Sequence, residues 1–484
     1  MKTVLFFARE NLASLYGHIS ENLSSSYNIV FVAYSEKEEK VLREQFQIDK
    51  VINFKKVLKN TLNIDKIDYL LLDEIDHTMS EMTDGRFTLN SSIQSDRGFS
   101  ILSYKESLAL VQTYYLIWEE LIKKYDVNYF IHEFVSLSMN HIASIVCKKN
   151  NALYVTEMQV RGIDKFNLLF INFENGIPVE LRNTYNNLEK RQIVQNISKI
   201  NVFLDIHLND TQAFFSYIGG EKFRFIKLIK QSIKEWIVCI LKKNKYDKIL
   251  DNIDYYLLHS KSASAKIINI LKYKLFIRWD IPQIKDTYYY YPLHLEPEAT
   301  VNYLADGIYK NQIKLLENIA AQLPAGTYLY VKDHPHDIGY RELNDYLKLK
   351  AVPNIKLLHA NISGNTIIQN SKGVITLNGT AGFEGILLGK PVFTFGKAFY
   401  SVSPLSTYVH NIRDLKEKLL TQFSEEERRE HLNKLVLALI NSSYSGNTNC
   451  FYGAKNKLKE NKQNIINLQN SYKLYLDKMS TYVK

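Results

Sequence analysis

The sequence predicts two tandem α/β domains, each a parallel sheet flanked by helices, followed by a helical tail. Three observations carry this. A chain of 484 residues has room for two or three domains at roughly 100–200 residues each. In the first half, short runs rich in β-branched and aromatic residues alternate with helix-length stretches. After residue 285 the same alternation begins again.

Taken in order, KTVLFFA (2–8) and NIVFVAYS (28–35) read as strands around a helix near Leu15–Leu23. KIDYLLLD (66–73), VNYFIHEF (127–134) and ALYVTEM (152–158) read as further strands, and ESLALVQTYYLIWEELIKK (106–124) as a long amphipathic helix. The first domain is placed at 1–215. The second, at 285–405, holds the strands TYYYYPL (287–293), TYLYVK (327–332), NIKLLH (354–359), GVITLN (373–378) and PVFTFG (391–396). Helices are expected over 305–323, near 366–371 and from Phe383 to Gly389. The stretch 406–484 reads as helical.

Between the domains, 216–284 reads as a basic helical connector. Net charge is +10, and between Lys222 and Arg278 fourteen Lys or Arg stand against four Asp or Glu, so the excess is local. Lysines alternate there with Ile, Leu, Trp and Phe at helical spacing. That is either a surface-seeking helix pair for an anionic membrane or an interdomain helix with a solvated lysine face. No nucleic-acid recognition motif accompanies it. The three cysteines, Cys147, Cys239 and Cys450, have neither disulfide-framework nor zinc-site spacing, which points to a reducing compartment. The five-residue apolar run before Arg9 is short for a signal peptide, and no stretch nears the ~20 apolar residues of a membrane span. A cytoplasmic location, peripheral on the inner membrane face if the basic segment docks there, is the expectation.

Chemistry concentrates in three segments of the second half. In GVITLNGTAGFEGILLGKPVFTFG (373–396) a buried strand ends at Asn378, and Gly379, Thr380, Ala381 and Gly382 form a turn into a helix whose free N–H groups suit a phosphate. Thr380 adds a hydroxyl and Glu384 an acceptor for ribose hydroxyls. The same glycines are equally what a tight strand-to-helix turn uses. In TYLYVKDHPHDIGYR (327–341) a strand delivers Lys332, Asp333, His334 and Pro335 to its carboxyl end, where open α/β sheets bind ligands. His334 is suited to donate to a phosphate oxygen or protonate a leaving group. In YYYYPLHLEPEAT (288–300), His294, Glu296 and Glu298 follow a strand, as a site or as turn chemistry. Asp73, Asp76 and His77 have metal-like spacing but read better as a solvated turn, so no metal is assigned.

The segments PLHLEPE (292–298), VKDHP (331–335) and NGTAGFEGILLGKPVFTFG (378–396) together resemble the bacterial capsule polysaccharide biosynthesis proteins, the family containing retaining β-Kdo transferases that use a CMP-activated sugar. The resemblance implies two Rossmann-like domains in the GT-B arrangement, with the donor nucleotide on the C-terminal one and the acceptor on the other. It also implies that His334-Pro335 meets the donor's cytidylyl phosphate. One departure is that the family often has Gln-Pro where this chain has Glu296-Pro297, which weakens Kdo itself as the donor. VTEMQVRGIDKF (155–166) sits where members carry a glutamate-led loop, so Glu157 is a candidate acid/base and Arg161 a candidate for the sugar carboxylate; a salt-bridged strand end is the alternative.

The function expected is glycosyl transfer from a nucleotide-sugar co-substrate, with no resident cofactor, to a glycan or glycolipid acceptor. His334, Thr380 and the 379–382 amides would meet the leaving phosphate, Lys332 or Lys397 would assist, His294 and Arg161 would contact substrate, and Glu157, Glu296 or Asp333 would act as base or nucleophile. A UDP-sugar 2-epimerase and a non-catalytic component of a capsule assembly complex are the alternatives.

Overall fold

The computed structural model describes residues 1–160, 162, 167–172, 176–209, 263–296, 300–305, 307–334, 337–420, 423–451 and 462–480, with isolated positions between 229 and 250. These divide into two compact units, one drawn from 1–187 and 438–480, the other from 188–209 and 229–437.

The first unit is built on a strand without a polar face. β1 (Thr3–Ala8) is buried along its whole length, as befits a strand covered on both sides. It pairs in parallel with β2 (Asn28–Ala33), which pairs with β3 (Val51–Asn53). On its other side β1 pairs with β4 (Val127–Ile131), and β4 with β5 (Leu153–Val160), so that Phe6, Ile131 and Val155 share a rung. β6 (Asn167–Asn172) runs antiparallel to β5. The spatial order β3-β2-β1-β4-β5-β6 reverses direction between β1 and β4.

The second unit repeats this scheme with β7 (Thr287–Pro292), β8 (Thr327–Lys332), β9 (Ile355–Leu358), β10 (Val374–Thr376), β11 (Val392–Thr394) and β12 (Ser406–Tyr408). All its pairings are parallel, in the order β9-β8-β7-β10-β11-β12, with the reversal between β7 and β10. Tyr291, Leu316, Val331, Leu357, Ile375 and Phe393 lie in its core. Both units therefore show the doubly wound strand order in which ligands bind at the reversal, outside the carboxyl ends of the strands.

Several elements differ from expectation. Residues 66–73 are not a strand: a helix spans Tyr69–Met82, because the Asp68 carboxylate caps it, accepting from Leu70 and Leu71 N–H at 3.0 and 3.1 Å. Leu72, Ile75 and Met79 then fall on one buried face. Asp73, Asp76 and His77 ride on this helix, where Asp76 accepts from Leu89 N–H and His77 pairs with Glu81. The helix expected over 305–323 spans Gln312–Gln322, after a separate helical turn at Thr300–Leu304. Helices over 190–209 fall in the second unit, not at the end of the first.

The stretch 406–484 is mainly helical but is shared. β12 completes the second sheet, while β13 (Tyr444–Ser445) adds antiparallel to β6. The helix Lys462–Met479 lays Leu468, Tyr472, Tyr475 and Leu476 into the first unit's core, with the Tyr475 ring stacked on Phe170 at 4.2 Å. Among the described residues no helix is long and apolar enough to cross a membrane.

Because Leu476 is fully buried against the first sheet, Leu476→Ala is expected to lower stability by about 3 kcal/mol, read as a fall in the urea midpoint. An unchanged midpoint would show that this helix does not complete the first core.

Candidate functional site

The strand reversal of the second sheet gathers most of the residues singled out above. β10 ends at Thr376, and the following helix starts at Thr380, three residues before the expected Phe383. Gly379 is its N-cap, in extended conformation, so Thr380, Ala381 and Gly382 form the first turn instead of a loop. Gly379 N–H donates to the Thr376 hydroxyl and Gly382 N–H to the Gly379 carbonyl. The amides of Thr380 and Ala381, at the start of the helix, have no acceptor within it. Thr380 is exposed and Ala381 half-buried. Just before them, the Asn378 side chain buries both amide atoms without a hydrogen bond among the described residues.

Two glycines here are required by packing. A Cβ on Gly379 would meet His294 Nε2 at 2.8 Å, and one on Gly382 would meet the Tyr400 hydroxyl at 2.2 Å. Tyr400 donates that hydroxyl to the Gly379 carbonyl at 2.7 Å. Glu384, one turn further, is half-buried in electrostatic contact with Lys332.

His294 follows β7 and is buried, its Nε2 3.2 Å from the Thr376 hydroxyl. Burial pushes its pKa down to about 3, with His334 and Arg341 lowering it further, so the ring is neutral and acts as packing and hydrogen-bonding support. Gln312, from the helix opposite, holds its backbone by accepting from His294 N–H at 2.9 Å and donating to its carbonyl at 3.1 Å. His334 is half-buried and close enough to His294 to lower its pKa. Lys332 is buried, its ammonium donating to the Ala360 carbonyl, and burial lowers its pKa. Lys397 is half-buried after β11. Pro335, Pro297 and Glu298 lie outside the described residues.

The carboxylates Glu296 and Asp333 are both committed. They converge with Asp337 on one buried guanidinium, Arg341. Its Nη1 is 2.8 Å from Glu296, its Nη2 3.1 Å from Asp337 and 3.2 Å from the His294 carbonyl, and its Nε 3.6 Å from Asp333. Asp333 also accepts from the Tyr346 hydroxyl and from His334 N–H. Burial raises the Asp333 pKa and Arg341 opposes this. Gln312 and Arg341 were not singled out from the sequence, although Arg341 closes the stretch 327–341; nothing local marks either as the organiser of loops distant in sequence.

In the first unit, Glu157 lies on β5, accepting from the Tyr472 hydroxyl at 2.8 Å. Desolvation, with the nearby Glu133 charge, outweighs that hydrogen bond and pushes its pKa up to about 7. Arg161 lies outside the described residues, as does most of 222–262. Of the basic segment, the helix Ala263–Phe276 buries Ile270 and Tyr273 and exposes Ile268, Leu271, Leu275 and Phe276.

Residues 224–441, a little under half the chain, match the family model described as Capsule polysaccharide biosynthesis protein. The match includes 292–298, 331–335 and 378–396, the segments that carry the resemblance. The protein FixF of Sinorhizobium fredii is 32% identical over 99 residues, covering 20% of this chain and 22% of its own length. The capsule polysaccharide modification protein LipB of Neisseria meningitidis is 22% identical over 175 residues, 35% of this chain and 37% of LipB. The matches thus span well under half of either relative. Among solved structures, the Thermosulfurimonas dismutans KpsC β-Kdo 2,4 transferase aligns over 70% of this chain and 87% of its own, at 14% identity and a TM-score of 0.33.

Replacing Arg341 by Leu strands Asp333 and Asp337 in the interior without their cation, and should cost about 3–5 kcal/mol at pH 7. Burial, which raises the Asp333 pKa, then acts without the opposing Arg341 cation and lifts it further above the unfolded value. The deficit should therefore shrink as pH falls toward 4.5, where the folded state holds the Asp333 proton. Urea unfolding at the two pH values checks this; an equal deficit at both, or none, contradicts it.

Proposed function

We propose that this protein is a glycosyltransferase that moves a sugar from a nucleotide donor, a CMP-linked sugar in the favoured case, onto a capsule or surface polysaccharide acceptor. The observation that carries the reading is the reversal of the second sheet. There the helix first turn with open amides at Thr380 and Ala381 follows an Asn378 amide without a partner among the described residues, and His334 is near enough to His294, which packs on Gly379, to lower its pKa. That set suits a phosphate, which takes backbone amides and a positive helix end. The family match over 224–441 supports the sugar-transfer context.

In the proposed step the bond between the anomeric carbon and the phosphate oxygen breaks, and the electron pair leaves with the phosphate. Thr380 and Ala381 N–H, the Thr380 hydroxyl and His334 stabilise the charge that builds there. The acceptor hydroxyl oxygen bonds to the anomeric carbon and its proton passes to a carboxylate. Glu296 is paired with Arg341, and Asp333 is sealed beneath Tyr346 and Arg341. Of the three contenders Glu157 alone is not paired with Arg341: it accepts from the Tyr472 hydroxyl, its pKa is pushed up to about 7, and it stays a candidate acid/base. Lys332 supports the turn through Glu384 and the Ala360 carbonyl. The exposed apolar stripe of the helix Ala263–Phe276, beside Lys272, Lys274 and Arg278, supports docking on an anionic membrane.

CMP should raise the unfolding temperature more than equimolar UDP. His334→Ala should keep the wild-type unfolding temperature without ligand while reducing sugar transfer by about 100-fold or more. A larger response to UDP, with turnover in the absence of acceptor, would favour an epimerase; His334→Ala with full activity would remove the imidazole from the mechanism.

A further inference from the structure

The helix Ala263–Phe276 presents two faces, sorted by the spacing of its apolar residues. Ile270, Tyr273 and, just past its end, Ile277 recur at helical spacing and are buried in the second unit. Ile268, Leu271 and Leu275 recur on the opposite side at 53%, 50% and 77% exposure, and Phe276, Ile281 and Ile284 extend this bare apolar surface beyond the helix. Lys272, Lys274, Arg278 and Lys285 stand exposed around it. The acids of this stretch are engaged elsewhere: Asp280 pairs with Lys350 at 2.7 Å, and Asp286 pairs with Lys356. The outer face is therefore apolar with an uncompensated positive rim, the complement of an anionic bilayer.

The inner face holds the loop that begins at His334. Asn269 Nδ2 donates to the Gly339 carbonyl at 3.0 Å, Tyr273 donates its hydroxyl to the Arg341 carbonyl, and the Lys266 ammonium sits 4.2 Å from the centre of the Tyr340 ring. The approach at Gly339 is so close that a Cβ there would lie 2.9 Å from the Lys266 carbonyl oxygen, and its φ of 87° already favours glycine. From there the loop is bound back to its start: Tyr340 N–H donates to the Asp337 carbonyl at 2.8 Å, and Asp337 N–H to the His334 carbonyl at 2.9 Å. The Tyr273 ring also meets Tyr346 edge-on at 4.9 Å, and the Tyr346 hydroxyl donates to Asp333. One helix thus offers bare apolar surface on one side and, on the other, grips three consecutive residues of the loop that carries His334.

We infer that this helix couples docking on an anionic bilayer to the donor site: as its outer face enters the bilayer, its inner face clamps residues 334–341 and so fixes His334 for the nucleotide phosphate. The inference rests on the docking and the phosphate seat proposed above and adds the link between them. A helix of 14 residues is marginal by itself in water, and the outer face gains nothing there from burial, so its hold on the loop depends on the inner contacts alone. A bilayer that buries Ile268, Leu271, Leu275 and Phe276 and attracts the surrounding cations favours the same helical, packed state that holds the loop. The coupling is reciprocal: the factor by which the bilayer tightens nucleotide binding is the factor by which nucleotide tightens bilayer binding.

The test mixes the full chain with vesicles of phosphatidylcholine alone, or of phosphatidylcholine and phosphatidylglycerol in equal parts. Sedimentation, amide hydrogen exchange over 334–341 and CMP titration are the readouts. Only the anionic vesicles should carry the protein down, slow exchange over 334–341 and tighten CMP binding about fivefold or more. Leu275→Asp, on the exposed face, should keep the wild-type unfolding midpoint and the CMP affinity measured in buffer while losing vesicle binding and both vesicle effects. Asn269→Ala combined with Tyr273→Phe should still sediment with the vesicles but lose most of the slowed exchange, which separates transmission through the helix from direct cover of the loop by lipid. Equal binding to both kinds of vesicle, vesicle-bound protein with unchanged exchange over 334–341, vesicle effects that survive Leu275→Asp, or slowed exchange retained in the double variant would overturn the inference. Absence of binding to the anionic vesicles would overturn docking and coupling together and leave the nucleotide reading standing. Slowed exchange with no CMP binding would count against the nucleotide reading alone.

Discussion

A single buried guanidinium organises the second unit. Arg341 ties Glu296, after β7, to Asp333 and Asp337, after β8, and its remaining donor holds the His294 carbonyl. Burying three charged groups, Arg341, Asp333 and Asp337, is unfavourable unless their hydrogen bonds are nearly complete. Gln312 to Glu296 and His294, Tyr346 to Asp333, and His334 N–H to Asp333 supply most of the remainder. With those loops locked together, His294 can support Thr376 and Gly379, and the His334 backbone is tied to Asp333. Glu296 and Asp333, two of the three carboxylates singled out in the sequence, are thus part of the frame that holds these loops.

The two units share a strand order but put different chemistry at its reversal. In the second stand a helix first turn, glycines forced by His294 and Tyr400, and one side-chain amide without a partner among the described residues. In the first stand an arginine–glutamate pair, a neutral histidine and a glutamate whose pKa is pushed up to about 7. Backbone donors cannot be neutralised and suit a phosphate whose charge grows during reaction.

Features built from contiguous residues were legible in the sequence. The apolar runs of β1, β4, β7 and β8, and the glycine turn after β10, follow from local pattern, and so does the family resemblance through 378–396. The error at 66–73 came from reading YLLL as a strand when Asp68 makes it a helix start, a side-chain cap outweighing local β pattern. The helix start at Thr380 escaped because a Gly-Thr-Ala-Gly run has poor helix propensity, yet Gly379 serves well as an N-cap. Arg341 with Glu296, Arg9 with Glu133, and Tyr472 with Glu157 are separated by 45, 124 and 315 residues. No single-sequence pattern encodes such pairs; only the topology brings them together.

The most direct measurement is a crystal structure of the protein with CMP. The account predicts density for the phosphate within hydrogen-bonding distance of the Thr380 and Ala381 amides, with the His334 imidazole turned toward it and the Arg341 cluster intact. A nucleotide bound away from residues 378–382, or a phosphate held without those amides, would contradict it.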